Sequence, residues 1–190
     1  MSCTKLIILS APSGSGKSSI ISQIIHDEAL KLEFSISATT RPPRGTEKDG
    51  VEYYFLSTTD FKERIARGEF AEYEQVYEGR FYGTLKSEIQ RICHKGNHPI
   101  MDVDVAGGVN VKKLYGAQAL SIFIMPPSIE ELRHRLLSRA TDSEEEIQRR
   151  VDKAAYEISF ADKYDKVVIN DDLNTAVAQV KALISEFIHQ

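Results

Sequence analysis

The apolar run Leu6-Ile7-Ile8-Leu9 leads straight into Ala11-Pro12-Ser13-Gly14-Ser15-Gly16-Lys17-Ser18, and Ile20, Ile21, Ile24 and Ile25 then recur at helical spacing. This order predicts a buried strand, a tight loop and a helix. In such a unit the loop N–H groups converge at the helix N-terminus and cradle phosphate oxygens. Lys17 is placed to reach the β- and γ-phosphates of a nucleoside triphosphate, and Ser18 to hold Mg²⁺. The strict pattern begins with glycine, whereas Ala11 stands there in this chain, and its side chain is minimal. A ligand-free turn would have no need of the Gly16-Lys17-Ser18 ending. The expected ligand is therefore a nucleoside triphosphate.

At 190 residues the chain fits one domain with ample length for a core. No apolar stretch approaches the roughly 20 residues that span a bilayer, and Lys5 to Leu9 lacks a signal-peptide layout. Cys3 and Cys93 are too few for a disulfide framework or a structural zinc site. The expected location is thus the cytoplasm, with no membrane partner. A net charge of −4 argues against a nucleic-acid polymer as partner but leaves small phosphorylated ligands open.

Further apolar runs predict strands over Pro99–Val105, Leu120–Met125 and Lys166–Ile169. Helical patterns lie between them. Ser128 with Glu131, and Ser143 with Glu146, read as capping boxes, and Asn174 as the cap of the last helix. Strands alternating with helices imply an α/β fold with a parallel sheet covered on both faces. Asp102 and Asp104, two residues apart on a strand, would share one side of it. Residues 32–84 break the rhythm: alternation at Phe34, Ile36 and Ala38 and over Phe70–Tyr77 predicts short, half-exposed strands in an inserted mixed β-region.

That insert gathers phosphate-binding chemistry. Ser37, Thr39, Thr40, Arg41 and Arg44 stand close in sequence, followed by Tyr53, Tyr54, Tyr73, Tyr77 and Tyr82. Guanidinium forks match phosphate bidentately and hydroxyls donate to it, which suits a monophosphate facing the triphosphate.

In these residues the chain resembles the guanylate kinase family. The matching segments are Ser35–Glu47, Gly50–Phe55, Gly68–Tyr73, Tyr82-Gly83-Thr84, Asp102-Val103-Asp104, Pro126-Pro127-Ser128 and Asn170-Asp171-Asp172, over about residues 4–185. The resemblance implies a P-loop NTPase-like parallel sheet with helices on both faces, an inserted mixed β region that binds the nucleoside monophosphate, and a helical lid. Its boundaries would be core 4–34, 85–136 and 151–190, monophosphate-binding region 35–84 and lid 137–150. Both inserted parts are expected to move. The implied reaction is transfer of the ATP γ-phosphate to GMP, and to dGMP, in purine nucleotide metabolism. ATP contacts fall on Ala11 to Ser18, Arg139 and Asn170. GMP contacts fall on Ser37, Arg41, Arg44, Glu47, Tyr53, Glu72, Tyr82, Thr84, Asp102, Asp104 and Gly107. Lys17, Arg41, Arg44, Arg135, Arg139 and Arg150 carry the catalytic roles, the last three as lid arginines. Ser18, with Asp102 directly or through water, holds Mg²⁺; the resemblance leaves room for K⁺ and for a homodimer, which no residue demonstrates.

The chemistry agrees with that carry-over. Guanine donates from N1–H and its 2-amino group and accepts at O6, so Glu72 and Asp104 can accept while Thr84 donates. Ala106 and Ala140 depart from common family residues, glutamine and glycine. Two competing readings follow from the same residues. One is a non-catalytic module binding phosphopeptides, which the retained Lys17, Ser18, Arg139 and Arg150 disfavour. The other is a kinase of the same fold acting on another nucleoside monophosphate or a ribose bisphosphate, which Glu72, Thr84 and Asp104 disfavour.

Overall fold

The computed structural model describes residues 5–138 and 143–190, without the side chain of Tyr77. Cys3, Arg139 and Ala140 lie outside the described residues.

Strand β1 (Leu6–Ser10) is buried throughout, as expected for a continuous apolar run in a covered sheet. It lies between β7 (His98–Asp102) and β8 (Ala119–Met125), parallel to both, with Ile7 opposite Ile100 and Leu120. Strand β2 (Leu32–Phe34) extends the sheet beyond β7, and β9 (Lys166–Ile169) beyond β8, giving the order β2-β7-β1-β8-β9. Alternate residues of β1 serve opposite faces. Ile7 and Leu9 pack with Ile20 and Ile24 of α1 (Lys17–Ile24) and Val180 and Ile184 of α7 (Leu173–His189). Leu6 and Ile8 pack with Ile89 of α3 (Lys86–His94) and Val111 of α4 (Val105–Tyr115). Each such side chain, once fully buried, contributes roughly 1.5–3 kcal/mol.

Between β2 and α3 the chain builds a second sheet. It comprises β3 (Ala38–Thr39), β4 (Tyr54–Phe55), β5 (Phe70–Tyr77) and β6 (Arg80–Leu85), ordered β4-β3-β6-β5. Helix α2 (Thr58–Ala66) inserts Phe61 against Phe70 and Phe81, with ring centroids 4.3 and 5.4 Å away. This sheet therefore has an apolar cluster of its own, with Ala38 and Leu85 completing it. Helices α5 (Ile129–Ser138) and α6 (Glu144–Ile158) pack through Leu132, Leu136, Ile147, Val151 and Ala154. Ser143 and Glu146 form the full capping box of α6. At α5 Ser128 accepts the Glu131 N–H, but the Glu131 carboxylate pairs with Arg135.

Three expectations need correction. Residues 32–34, which the strand pattern gave to the insert and the resemblance to the core, belong to the core sheet as a fifth parallel strand, too short to show a period. Strand β7 ends at Asp102, so Asp104 does not share a strand face with it: Asp104 is the N-cap of α4, its carboxylate accepting from the Gly107 N–H at 2.5 Å. The cap of α7 is Asp172, which accepts from the Thr175 N–H at 2.9 Å and its hydroxyl at 2.7 Å. Asn174, inside the helix, is two residues too late to cap it.

Candidate active site

The phosphate loop joins β1 to α1 at the carboxyl edge of the parallel sheet, where such folds place ligands. Gly16 is the N-cap of α1 with φ 87°, a left-handed conformation that favours glycine. A side chain there would also collide with the Asn170 amide. Asn170, just past β9, donates from Nδ2 to the Ser15 carbonyl at 2.7 Å and from its N–H to Met125 at 2.8 Å. The loop is thereby tied to the far side of the sheet. The Ser15 hydroxyl is buried with no hydrogen-bond partner among the described residues. The Lys17 ammonium forms an ion pair with Asp102 at the end of β7.

Two arginines approach from α5 and α6. Arg150 donates to the Ser13 hydroxyl at 2.9 Å. Arg135 pairs with Glu131 at 2.8 Å and donates to the Asn170 carbonyl at 2.9 Å. Gly14, Gly16, Ser19, Arg135, Ser138 and Asn170 line a cavity of about 280 Å³ beside the loop.

A second cavity, about 330 Å³, opens between the two sheets. Ser37, Tyr53 and Tyr82 stand on one side; Glu72, Glu74, Asp102, Asp104 and Lys153 line the rest. Glu72 lies opposite Thr84 in the β5–β6 ladder and accepts its hydroxyl at 2.8 Å. Burial lifts the Glu72 carboxyl to about 7; the Thr84 bond opposes this and the Asp104 charge adds to it. Glu74 is lifted to about 7 chiefly by its hydrogen-bond contact with the Asp104 carboxyl, with burial adding and Lys153 opposing. The result is a carboxyl cluster that calls for hydrogen-bond donors on the ligand.

At the other end, Arg41 is buried and lies over the Tyr53 ring, 4.8 Å from its centroid. Glu47 grips it bidentately at 2.6 and 2.7 Å and also accepts the Arg44 N–H at 2.7 Å. That grip, by Arg41 first, holds the Glu47 carboxyl down at about 2.

Comparison with known proteins agrees with this geometry. The family model described as guanylate kinase matches residues 3–187. The chain is 58% identical over 184 residues to a guanylate kinase of Bacteroides fragilis, covering 97% of this chain and 90% of the relative. It is 56% identical over 185 residues to one of Porphyromonas gingivalis, covering 97% and 98%. The crystal structure of guanylate kinase from Anaplasma phagocytophilum superposes with a TM-score of 0.75 at 28% identity, covering 98% of this chain and 87% of that one.

The chain belongs to the guanylate kinase family.

Among the residues that a guanylate kinase reading selects, Ser37, Tyr53, Glu72, Tyr82, Asp102 and Asp104 line one cavity, and Gly14, Gly16, Arg135 and Asn170 the other. Thr84, Gly107 and Glu47 stand one layer back, where they bond to Glu72, Asp104 and Arg41 respectively. The Arg44 side chain is exposed. Glu74 and Lys153 were missed. The period-two pattern of β5 carries a signal for Glu74, since Glu72 and Glu74 share a strand face. Lys153 gives no local signal, because only the packing of α6 brings it to the cavity.

Proposed function

We propose that the enzyme, a guanylate kinase, transfers the ATP γ-phosphoryl group to a phosphate oxygen of GMP, giving GDP and ADP, through the residues assigned above. The observation that carries this reading is the half-buried Glu72–Asp104 pair beside Thr84, facing a cavity whose lining includes Asp102, the ion-pair partner of Lys17. Guanine satisfies both acids through N1–H and the 2-amino group. Adenine, with an unprotonated N1, leaves a carboxylate facing a lone pair. Each unmade buried bond costs about 1–3 kcal/mol, so two give roughly 10²–10⁴-fold discrimination.

The GMP phosphate, already anionic, needs alignment rather than a general base. Ser37, Tyr53 and Tyr82 donate hydroxyls to it, and Arg41, stiffened by Glu47, supplies the guanidinium with Arg44. The loop N–H groups hold the ATP phosphates. Lys17 exchanges Asp102 for the β- and γ-phosphates, which frees that carboxylate. Arg150, beside Ser13, is near enough to the loop to neutralise charge on the transferring group, with Arg135 behind it; Arg139 is assigned to the same lid. The Ser18 hydroxyl and the Asp102 carboxylate are oxygen donors that suit Mg²⁺, a hard cation usually borne mainly by nucleotide phosphates. When bound, Mg²⁺ supplies neutralisation of the β/γ-phosphate charge. We place the enzyme in the cytoplasm, where both nucleotides are available.

The test measures ADP release from ATP and Mg²⁺ with GMP, AMP, CMP and UMP offered separately. Turnover with GMP far above the others is expected. Equal turnover with AMP would overturn the guanine pocket.

A further inference from the structure

One buried charge in the molecule has no place in the chemistry above. Glu88, in the first turn of α3, has a side chain only 1% exposed. Its carboxylate nevertheless accepts hydrogen bonds from three different parts of the chain. Oε1 accepts from the Ile36 N–H at 3.1 Å and from Arg91 Nη2 at 2.7 Å. Oε2 accepts from the Tyr54 hydroxyl at 2.8 Å and from Arg91 Nε at 2.8 Å. Burial works to raise this carboxyl, but the bonds from Arg91, Ile36 and Tyr54 outweigh it and keep it below the ordinary glutamate value. Arg91 is anchored in turn by Glu33 at 2.7 Å, and Glu33 is also held by Lys95 and Asn97 at 2.8 and 2.7 Å. A buried carboxylate bonded this fully is a rigid point.

Its position in the topology gives that rigidity a use. The chain leaves the core sheet after β2: the Ser35 N–H still bonds to Ile100 of the core at 3.0 Å. It returns when β6 runs directly into α3 at Leu85–Lys86. Glu88 sits on the return path and grips Ile36 on the way out. Ile36 immediately precedes Ser37, and Tyr54 immediately follows Tyr53, and both of those neighbours line the GMP cavity. The Tyr54 N–H also donates to the Ser37 carbonyl at 2.9 Å, coupling the two segments.

We propose that Glu88 is a positioning residue for the acceptor nucleotide: one buried carboxylate on a core helix fixes the backbone that presents Ser37 and Tyr53 to the GMP phosphate. The inference rests on the assignment of Ser37 and Tyr53 to that phosphate. It assigns Tyr54 and Arg91 to the same device, outside contact with any substrate. A slack Glu88 lets the phosphate-binding hydroxyls wander while the phosphate loop, on β1 and α1, stays in place. The signature is a GMP-specific defect.

Steady-state kinetics on the full chain, with each substrate varied in turn, tests this for Glu88→Gln, Tyr54→Phe and, as a control on the site itself, Tyr53→Phe. Loss of one charge-assisted hydrogen bond corresponds to about a tenfold change, so Glu88→Gln should raise KM for GMP by about tenfold and Tyr54→Phe by about threefold. KM for ATP should stay within about twofold in both, as should kcat. If Glu88→Gln does not fold, Tyr54→Phe, which removes a single hydroxyl, decides alone. Unchanged KM for GMP in the folded variants, or equal rises for GMP and ATP, would overturn the inference while leaving the site intact, provided Tyr53→Phe raises KM for GMP. An unchanged Tyr53→Phe would overturn the site assignment, and the inference with it.

Discussion

Replacing Glu72 by glutamine should make the ligand-free enzyme more stable and a worse kinase. The carboxyl titrates near 7 in the folded protein, raised from 4.5 chiefly by burial. An acid whose folded value is raised is most favourable to folding when protonated. Its contribution is therefore full below the unfolded value and is lost as pH rises through the folded one. From those two values the folded enzyme carries a penalty of about 1 kcal/mol near pH 5 and about 3 kcal/mol near pH 8. Glutamine cannot ionise, keeps an oxygen for the Thr84 hydroxyl, and turns an N–H₂ toward Asp104. It should relieve most of that penalty near pH 8. For a chain of this length, about 3 kcal/mol corresponds to a rise in Tm of roughly 6–12 °C. The gain should shrink to about 2–4 °C near pH 5. The same change puts an amide donor against guanine N1–H, and KM for GMP should rise by about 10²-fold or more while KM for ATP stays within about twofold. Thermal melts at both pH values and a coupled ADP assay read the two effects. A variant no more stable than the parent near pH 8, or one that keeps normal GMP use, would refute this account of Glu72.

Two further substitutions test the frame around the site. Asn170→Ala removes the donor that ties the Ser15 carbonyl to the end of β9, so KM for ATP should rise by about tenfold with little change for GMP; initial rates with ATP varied would show it, and a change under about twofold would count against the tie. Gly108→Ala places a Cβ against the Tyr164 hydroxyl and 2.8 Å from the Ser10 hydroxyl, at the point where Tyr164 donates to the Val105 carbonyl at 3.0 Å. Overpacking of this kind costs about 1–3 kcal/mol, so Tm should fall by about 2–12 °C. Tyr164→Phe in the same chain should return part of the loss, and no recovery would point to another cause.

The parallel sheet was legible because its inner strands carry apolar runs: Leu6–Leu9, and Leu120–Ile124 with Ser121 alone polar, read as strands buried on both faces. Strand β2 was not, since three residues with one buried side chain carry no period. Chemistry and resemblance together picked out Glu72 and Asp104, which line one cavity; Thr84, expected beside them as a donor, gives its one hydroxyl proton to Glu72 and stands behind it. What surrounds them was not legible. Lys153 reaches the cavity from a helix far along the chain, and Glu88 shows as an acid in an amphipathic helix, where solvent is the ordinary expectation. Only the packing of β2, β4 and α3 turns it inward.

The misreading of Asp104 shows how two neighbouring acids are set apart. On a continuous strand, Asp102 and Asp104 would point the same way and compete for one cation. The strand stops at Asp102 instead, and the chain turns into α4 with Asp104 as its cap. Capping binds the Asp104 carboxylate to the Gly107 N–H and aims it at Glu72 and Glu74. The Ser10 hydroxyl donates to the Asp104 carbonyl at 3.2 Å, which fixes the turn to β1, the strand that feeds the phosphate loop. Asp102 is left at the strand end to meet Lys17. Two acids with one residue between them thus face different partners: Asp102 the Lys17 ammonium, Asp104 the carboxyls of Glu72 and Glu74. The switch from strand to helix between them is what turns the two carboxylates apart.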